Sequence, residues 1–457
     1  MSQINAKVIQ TPIYTAQGGP AKNISAEQTL RRTVMCAMLW EDSFYESGLS
    51  VADRVKDLAP KCRPEFVAAC AYEARTKMKL RHMPLLLVRE MARLDTHKHL
   101  VKDLLRDVIQ RADELTEFMA IYWKDGKTPI SAQVKKGLAA AMRKFSAFEL
   151  AKYNRDKVIK LRDVLFLVHS KPSDAPGDKF TKLERKAGAD RKLTDGEQVY
   201  LDLVNGTLAT PDTWEVALSA GDDKKETFER LMSEKKLGAL AFLRNLRNIS
   251  ESGVDVKLVQ EYVNNLKTDR VLPFRFIAAA RAVPQWEPVI EEAMMKCLEG
   301  QETIPGRTVL LVDVSGSMDA PISGKSDMKR LDAAYGLGIL LREVCEEIGI
   351  FTFSDGVVSV PPRSGFALRD AMHSSQRHAS TYLGNAVTSL NASIKYDRLI
   401  VITDEQSEDR VPDPLKDAKG YVINVASNKN GVGYGKWMHI DGWSESVIDF
   451  IREFESE

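Results

Sequence analysis

The chain has 457 residues, 44% of them hydrophobic and 28% charged, which is too long for one ordinary core and predicts at least two domains. No apolar run approaches the ~20 residues that span a bilayer, and Met1–Gln10 lacks the basic-then-apolar design of a secretory signal, so a cytoplasmic protein is expected. The net charge of +1 conceals an asymmetry: from Pro305 onward 16 Lys/Arg oppose 22 Asp/Glu, whereas Ser131–Lys192 alone carries 16 against 7.

A basic first part and an acidic last part suit a polyanion-binding module joined to a domain with another task. The five cysteines (Cys36, Cys62, Cys70, Cys297, Cys345) are scattered and free of CxxC spacing, which argues for buried thiols and against a disulfide frame or a zinc site.

Residues 1–24, punctuated by Thr11-Pro12 and Gly18-Gly19-Pro20, read as an extended arm. From residue 25 to about 300 the pattern is helical. Ser25-Ala-Glu-Gln28 opens the first helix with a capping box, and helix-length stretches follow at Pro64–Lys79, Pro84–Asp95, Lys98–Ala120, Gln133–Tyr153 and Arg155–His169. Many helices with short turns predict a bundle or a stack of helix pairs. Ser173–Gln198 is rich in Asp, Gly and Lys and reads as a solvated excursion. Helices resume at Gln198–Leu203, Trp214–Leu218, Lys225–Glu234, Gly238–Ile249, Leu258–Leu266 and Pro273–Ala282, and Gly300–Gly306 marks a junction.

Beyond it the period changes. Strands are predicted at Val309–Val312, Gly349–Phe353, Val357–Val360, Arg398–Thr403 and Tyr421–Val425. Helices are predicted at Asp327–Glu347, Tyr382–Ile394 and Ser444–Phe454. Short apolar strands alternating with helices indicate an α/β doubly wound, mostly parallel sheet over 305–457.

The first of these strands runs into Asp313-x-Ser315-x-Ser317. Small oxygen-bearing side chains at the C-terminal end of a buried parallel strand offer a grip for a hard divalent cation where such sheets bind ligands. Asp404 ends a second strand, and Thr381 lies in a loop ahead of the next helix. Together Asp313, Ser315, Ser317, Thr381 and Asp404 supply five oxygens, a set that suits Mg2+. Strand-end capping without metal would use the same residue types. In this order the motif resembles the metal-ion-dependent adhesion site (MIDAS) of the von Willebrand factor A fold, except that Ala379-Ser380 stands where a Gly-Gly pair is expected. The resemblance implies that the metal's open position takes a carboxylate from a partner.

In Gln133–Tyr153, Val134, Leu138, Met142 and Phe145 form an apolar stripe, while Lys136 and Arg143, seven apart, share another face. In the next helix Val158, Leu161, Leu165 and Val168 form the expected buried stripe, with Arg162 and His169 on another side. Basic faces on consecutive helices suit a phosphate backbone, although a solvated charged face would look the same on either helix alone.

Lys160–Pro172, Trp214–Gly221, Lys236–Asn248 and Leu272–Phe276 resemble signatures of the Ro autoantigen (TROVE-domain) family, as do Thr11–Pro20 and Arg31–Trp40. A TROVE module followed by an A domain is also that family's order, of the bacterial or phage type. The resemblance implies a HEAT-like helical repeat ring over 25–300, closed by the A domain. It further implies that small noncoding Y RNAs bind the outer basic surface and that 3′ ends of misfolded RNAs enter the hole. Carried onto this chain, the RNA-contacting segment falls on Lys135, Lys136, Arg143, Lys144, Lys152, Lys160, Arg162, His169 and Lys171.

The function expected is therefore that of a noncatalytic, monomeric RNA-binding scaffold of a small ribonucleoprotein, acting in RNA quality control or as an adaptor for an exoribonuclease. The alternative is a metal-dependent protein-adhesion module. A metal-dependent hydrolase is disfavoured, because His373 and His378 carry no motif that would make them a general base.

Overall fold

The computed structural model describes residues 12–36, 47–173, 193–266, 271, 273–296, 302–324, 326, 328–426, 428, 430–444 and 446–456. Residues 1–11 of the expected arm, 37–40 of the Arg31–Trp40 segment, 174–192 of the Asp/Gly/Lys-rich stretch, Leu272, Cys297 and part of the 300–306 junction lie outside the described residues. Two compact units form: Ala52–Asn265, and Met1–Val51 together with Leu266–Glu457.

The first unit is helical. Its helices fall where apolar residues recur at helical spacing, and several breaks are set by Ser, Thr or Asp caps. The expected helix Gln133–Tyr153 is two, Ala132–Met142 and Ala147–Tyr153. Ser146 stops the first by capping the second, with Glu149 returning a bond to the Ser146 backbone in a reciprocal box, an arrangement worth about 1 kcal/mol. Lys98–Ala120 likewise divides into Val101–Val108 and Asp113–Tyr122, because Glu114 turns back to accept from the amides of Gln110 and Arg111.

Arg155–His169 is helical only over Leu161–Val168. Leu161, Leu165 and Val168 are buried as expected, but Val158 lies before the helix and is fully exposed, so the stripe begins at Leu161. Helix Ala132–Met142 packs closely on Val101–Val108 at Gly137, where a Cβ would meet the Lys102 carbonyl at 2.9 Å.

The second unit contains the α/β domain. Six strands, β1 (Ile304–Asp313), β2 (Cys345–Phe353), β3 (Val357–Ser359), β4 (Arg398–Thr403), β5 (Lys419–Asn424) and β6 (Trp437–Asp441), form one sheet in the order β3-β2-β1-β4-β5-β6. All neighbours are parallel except β2 and β3. The five expected strands are present. β6, whose sequence Trp-Met-His-Ile-Asp alternates only briefly, is an addition.

On one face Val309, Leu311, Leu399, Val401 and Val422 pack against Leu383, Val387 and Leu390 of the helix Leu383–Ser393. The crossover helix between β1 and β2, Arg330–Val344, is buried over most of its length. It is covered from outside by Pro273–Ala282, and a helix enclosed on all sides needs apolar or paired residues all round. It ends at Val344 because Cys345 already belongs to β2, three residues earlier than the sequence suggests.

Candidate metal centre and nucleic-acid interface

β1 and β4 are adjacent and in parallel register, Val312 beside Ile402, so Asp313 at the end of one and Asp404 just past the other emerge together at the sheet's C-terminal edge. All five predicted ligands are buried: Asp313, Ser315 and Asp404 completely, Thr381 and Ser317 nearly so. Asp313 accepts the Ser315 amide at 2.8 Å and the Thr403 hydroxyl at 2.6 Å. The Ser315 and Ser317 hydroxyls lie 3.3 Å apart. Burial first, and Asp404 second, push the Asp313 carboxyl up to about 7, against the bonds from Thr403 and Ser315.

Two converging carboxylates are relieved by a proton on one of them or by a cation beside them. One such cation is Arg330, a fully buried residue that the sequence did not single out. Its guanidinium donates to Asp404 Oδ2 at 3.0 Å and to the Ser317 carbonyl at 3.3 Å. When both carboxylates are ionised, the Arg330 guanidinium seen on Asp404 offsets one of the two charges, and the second, among hydroxyl oxygens, fits a hard divalent cation. Among the described residues no three His, Cys, Asp or Glu side chains gather as a metal-holding group, so such an ion would depend on Ser315, Ser317 and Thr381 beside the two carboxylates.

The Thr381 loop is positioned without the Gly-Gly pair. The Ala379 amide donates to Ser354 Oγ at 2.8 Å, the Ser380 amide to Asp355 at 3.2 Å, and the Gly316 amide to the Ala379 carbonyl at 3.0 Å. Polar groups from the β2–β3 turn thus hold what glycines were expected to shape. His373 and His378 lie nearby in an edge-on pair, 4.8 Å between ring centroids. His373 bonds to the Tyr335 hydroxyl at 3.2 Å, and burial, with His378 beside it, lowers its pKa.

Below this site lies a second buried ionic network. Arg32, from the helix Ala26–Cys36, donates to Glu405 at 2.9 Å, and His439 sits between Glu405 and Asp441 at 2.8 Å from each. Although burial opposes ionisation, Arg32 and then His439 hold Glu405 down at about 2. Burial likewise works against a charged His439, yet Asp441 and Glu405 raise it to about 9.

In the helical unit the predicted RNA contacts divide. Lys136, Arg143, Arg162 and His169 are exposed and Lys135 is half-exposed. Among the described residues Lys135, Lys136, Arg143 and Arg162 have no carboxylate within ion-pair distance. The Ser170 hydroxyl bonds the Ala139 carbonyl at 3.1 Å, which brings the end of Leu161–Val168, with His169, to the middle of Ala132–Met142. His169 itself closes its helix at φ +53, a left-handed position that glycine usually takes.

The remaining lysines are engaged within the fold. Lys144 donates to the carbonyls of Arg106 and Ile109, so it caps the end of Val101–Val108. Lys160 pairs with Asp156 at 2.5 Å. Lys152 lies over the Tyr153 ring at 5.7 Å, and Lys171 also has a partner.

Residues 206–322 match the TROVE domain model, a span that contains the Trp214–Gly221 and Lys236–Asn248 motifs and ends just past Ser317. The crystal structure of the Deinococcus radiodurans Ro (RSR) protein matches with a TM-score of 0.58 at 17% identity, over 94% of this chain and 99% of that one. Telomerase protein component 1 of Mus musculus is 34% identical over 86 residues, 18% of this chain and only 3% of that protein's length. Residues 206–322 are thus similar to a TROVE domain, and the chain shares the fold of the Deinococcus radiodurans Ro protein.

Proposed function

We infer that this protein binds RNA noncatalytically, as the scaffold of a small ribonucleoprotein built on a Y-like noncoding RNA, and that it serves RNA quality control or presents RNA to an exoribonuclease. TROVE and Ro proteins are known as RNA-binding proteins. The observation that carries the reading to particular residues is the group Lys135, Lys136, Arg143 and Arg162. They are cations on neighbouring helices with no carboxylate within ion-pair distance among the described residues, beside an exposed His169 at positive φ. Side chains that neutralise nothing within the fold are available to phosphates.

Four phosphate contacts predict a log–log salt slope of about −3 to −4. Measured by fluorescence anisotropy on a structured small RNA, the Lys136→Glu/Arg143→Glu double variant should weaken binding and flatten that slope by at least about 1.5. A salt-independent affinity, or one unchanged by the reversals, defeats the reading.

The strand-end site supports a second activity in the same chain. Asp313, Ser315, Ser317, Thr381 and Asp404 would hold Mg2+, which when bound supplies an open position for a partner's carboxylate. Chelation and Asp313→Ala should then abolish capture of a protein partner and leave RNA affinity intact. RNA affinity that falls with the metal would instead tie the two activities together. Among the described residues no helix is long and apolar enough to cross a membrane; the resemblance to Ro proteins is the ground on which a cytoplasmic, monomeric protein is proposed.

A further inference from the structure

Six consecutive polar residues, Asp404–Asp409, follow β4, and the first four are completely buried. A buried polar loop needs partners on every side, and this one finds them in two places. Toward the strand-end site, the Glu408 amide donates to the Thr381 carbonyl at 2.9 Å, the Thr381 amide to the Glu408 carboxylate at 3.1 Å and the Ser407 hydroxyl to the Thr381 carbonyl at 3.2 Å. Gln406 donates its amide to Asp404 Oδ1 at 3.3 Å and its side chain to the Asp404 carbonyl at 3.1 Å.

The other side of the loop is covered by residues nearly 400 positions away. The Thr15 hydroxyl donates to the Ser407 carbonyl at 2.7 Å, and the Ala16 amide donates to Gln406 Oε1 at 2.7 Å. Gly19 lies so close over Ser407 that a Cβ would stand 2.2 Å from its carbonyl oxygen. This segment is itself a closed turn: the Thr15 amide reaches the Gly19 carbonyl at 2.8 Å, and the Gly19 amide reaches the Thr15 hydroxyl at 3.0 Å. Gly18 supplies the positive φ the turn requires, +91.

Two relays result, Ala16–Gln406–Asp404 and Thr15/Gly19–Ser407–Thr381. Each ends on a residue assigned above to the metal. We propose that the turn Thr15–Gly19 is an intramolecular latch whose docking on the 406–408 loop positions Asp404 and Thr381, and so sets the divalent-cation affinity of the strand-end site. This rests on the reading that the site takes Mg2+. Thermodynamic linkage makes the coupling mutual: whatever the docked latch adds to metal affinity, bound metal adds to latch docking.

The full-length protein, Gly19→Val and the milder Thr15→Val are compared by calorimetric titration with Mg2+. Hydrogen exchange at the Ala16, Gly19 and Thr381 amides is followed with and without the ion, and circular dichroism checks that each variant folds. Both variants should bind Mg2+ more weakly, by at least about 5-fold for Gly19→Val, the lower end of ordinary coupling. Mg2+ should slow exchange at Ala16 and Gly19 in the wild type, an effect that a merely structural turn would not show. Equal Mg2+ affinity in folded variants, or arm exchange indifferent to Mg2+, overturns the latch while sparing the metal reading. A wild type that takes up no Mg2+ overturns both.

Discussion

Replacing Arg32 by methionine removes a cation from the buried heart of the network. Arg32 and Glu405 are both completely buried, and the guanidinium also donates to the carbonyls of Asn428 at 2.5 Å and Asn430 at 3.2 Å. Without it Glu405 keeps, among the described residues, His439 and the Gly433 amide, at 3.0 Å, and the Asn428 and Asn430 carbonyls lose a donor. Breaking a buried pair by removing one partner costs about 3–5 kcal/mol. For a unit of this size each kcal/mol corresponds to about 2–4 °C, so its melting transition should fall by roughly 6–20 °C in scanning calorimetry.

The double variant Arg32→Met/Glu405→Met removes both charges and should recover part of the loss, because the penalty is dominated by the stranded carboxylate. A single variant within about 1 kcal/mol of wild type, or a double variant less stable than the sum of its singles, refutes the reasoning.

His439, raised to about 9 in the fold, contributes stability that is complete below its ordinary value and is lost as pH rises through 9. The melting temperature should therefore decline between pH 7 and 10, and His439→Gln should show a flatter profile over that window. Ser146→Ala dissolves a capping box and should cost about 1 kcal/mol, read from urea unfolding of the helical unit. Gly384→Ala places a Cβ 2.2 Å from the Arg410 carbonyl, and it should reduce soluble yield and melting temperature, whereas Gly221→Ala, with nothing within 4 Å, should show only the smaller penalty of its positive φ.

Five strands and the convergence of Asp313 with Asp404 were legible in the sequence, because a run such as Val309–Val312 entering Asp-x-Ser-x-Ser encodes burial and strand end locally. The helix breaks at Ser146 and Glu114 were less legible. A capping residue inside a continuous apolar stripe leaves the period unchanged, so the stripe at Val134, Leu138, Met142 and Phe145 held while the helix beneath it divided. Val158 was misplaced for a related reason: periodicity extended a helix over residues whose backbone is not helical.

Arg330 and the Arg32–Glu405–His439–Asp441 network left no local signal at all. The carboxylate partners of Arg330 and Arg32 lie 74 and 373 positions away, and a lone arginine in a helix reads as surface. The same long range explains why Lys144 resembled a phosphate ligand: its acceptors are carbonyls, which every residue has.

The residues that hold the Glu405 loop come from both ends of the chain, and this has a consequence for synthesis. At about 5–20 residues per second, Arg32 leaves the ribosome roughly 20–80 s before its carboxylate partner exists. For that interval the helix Ala26–Cys36 has an apolar face and an arginine with nowhere to bury them. The Ala52–Asn265 unit, contiguous in sequence, can close on its own contacts meanwhile. The helix Ala26–Cys36 is therefore among the last elements to find its place. A substitution there should show itself first as poor yield at high expression rate, before any loss is seen in the finished molecule.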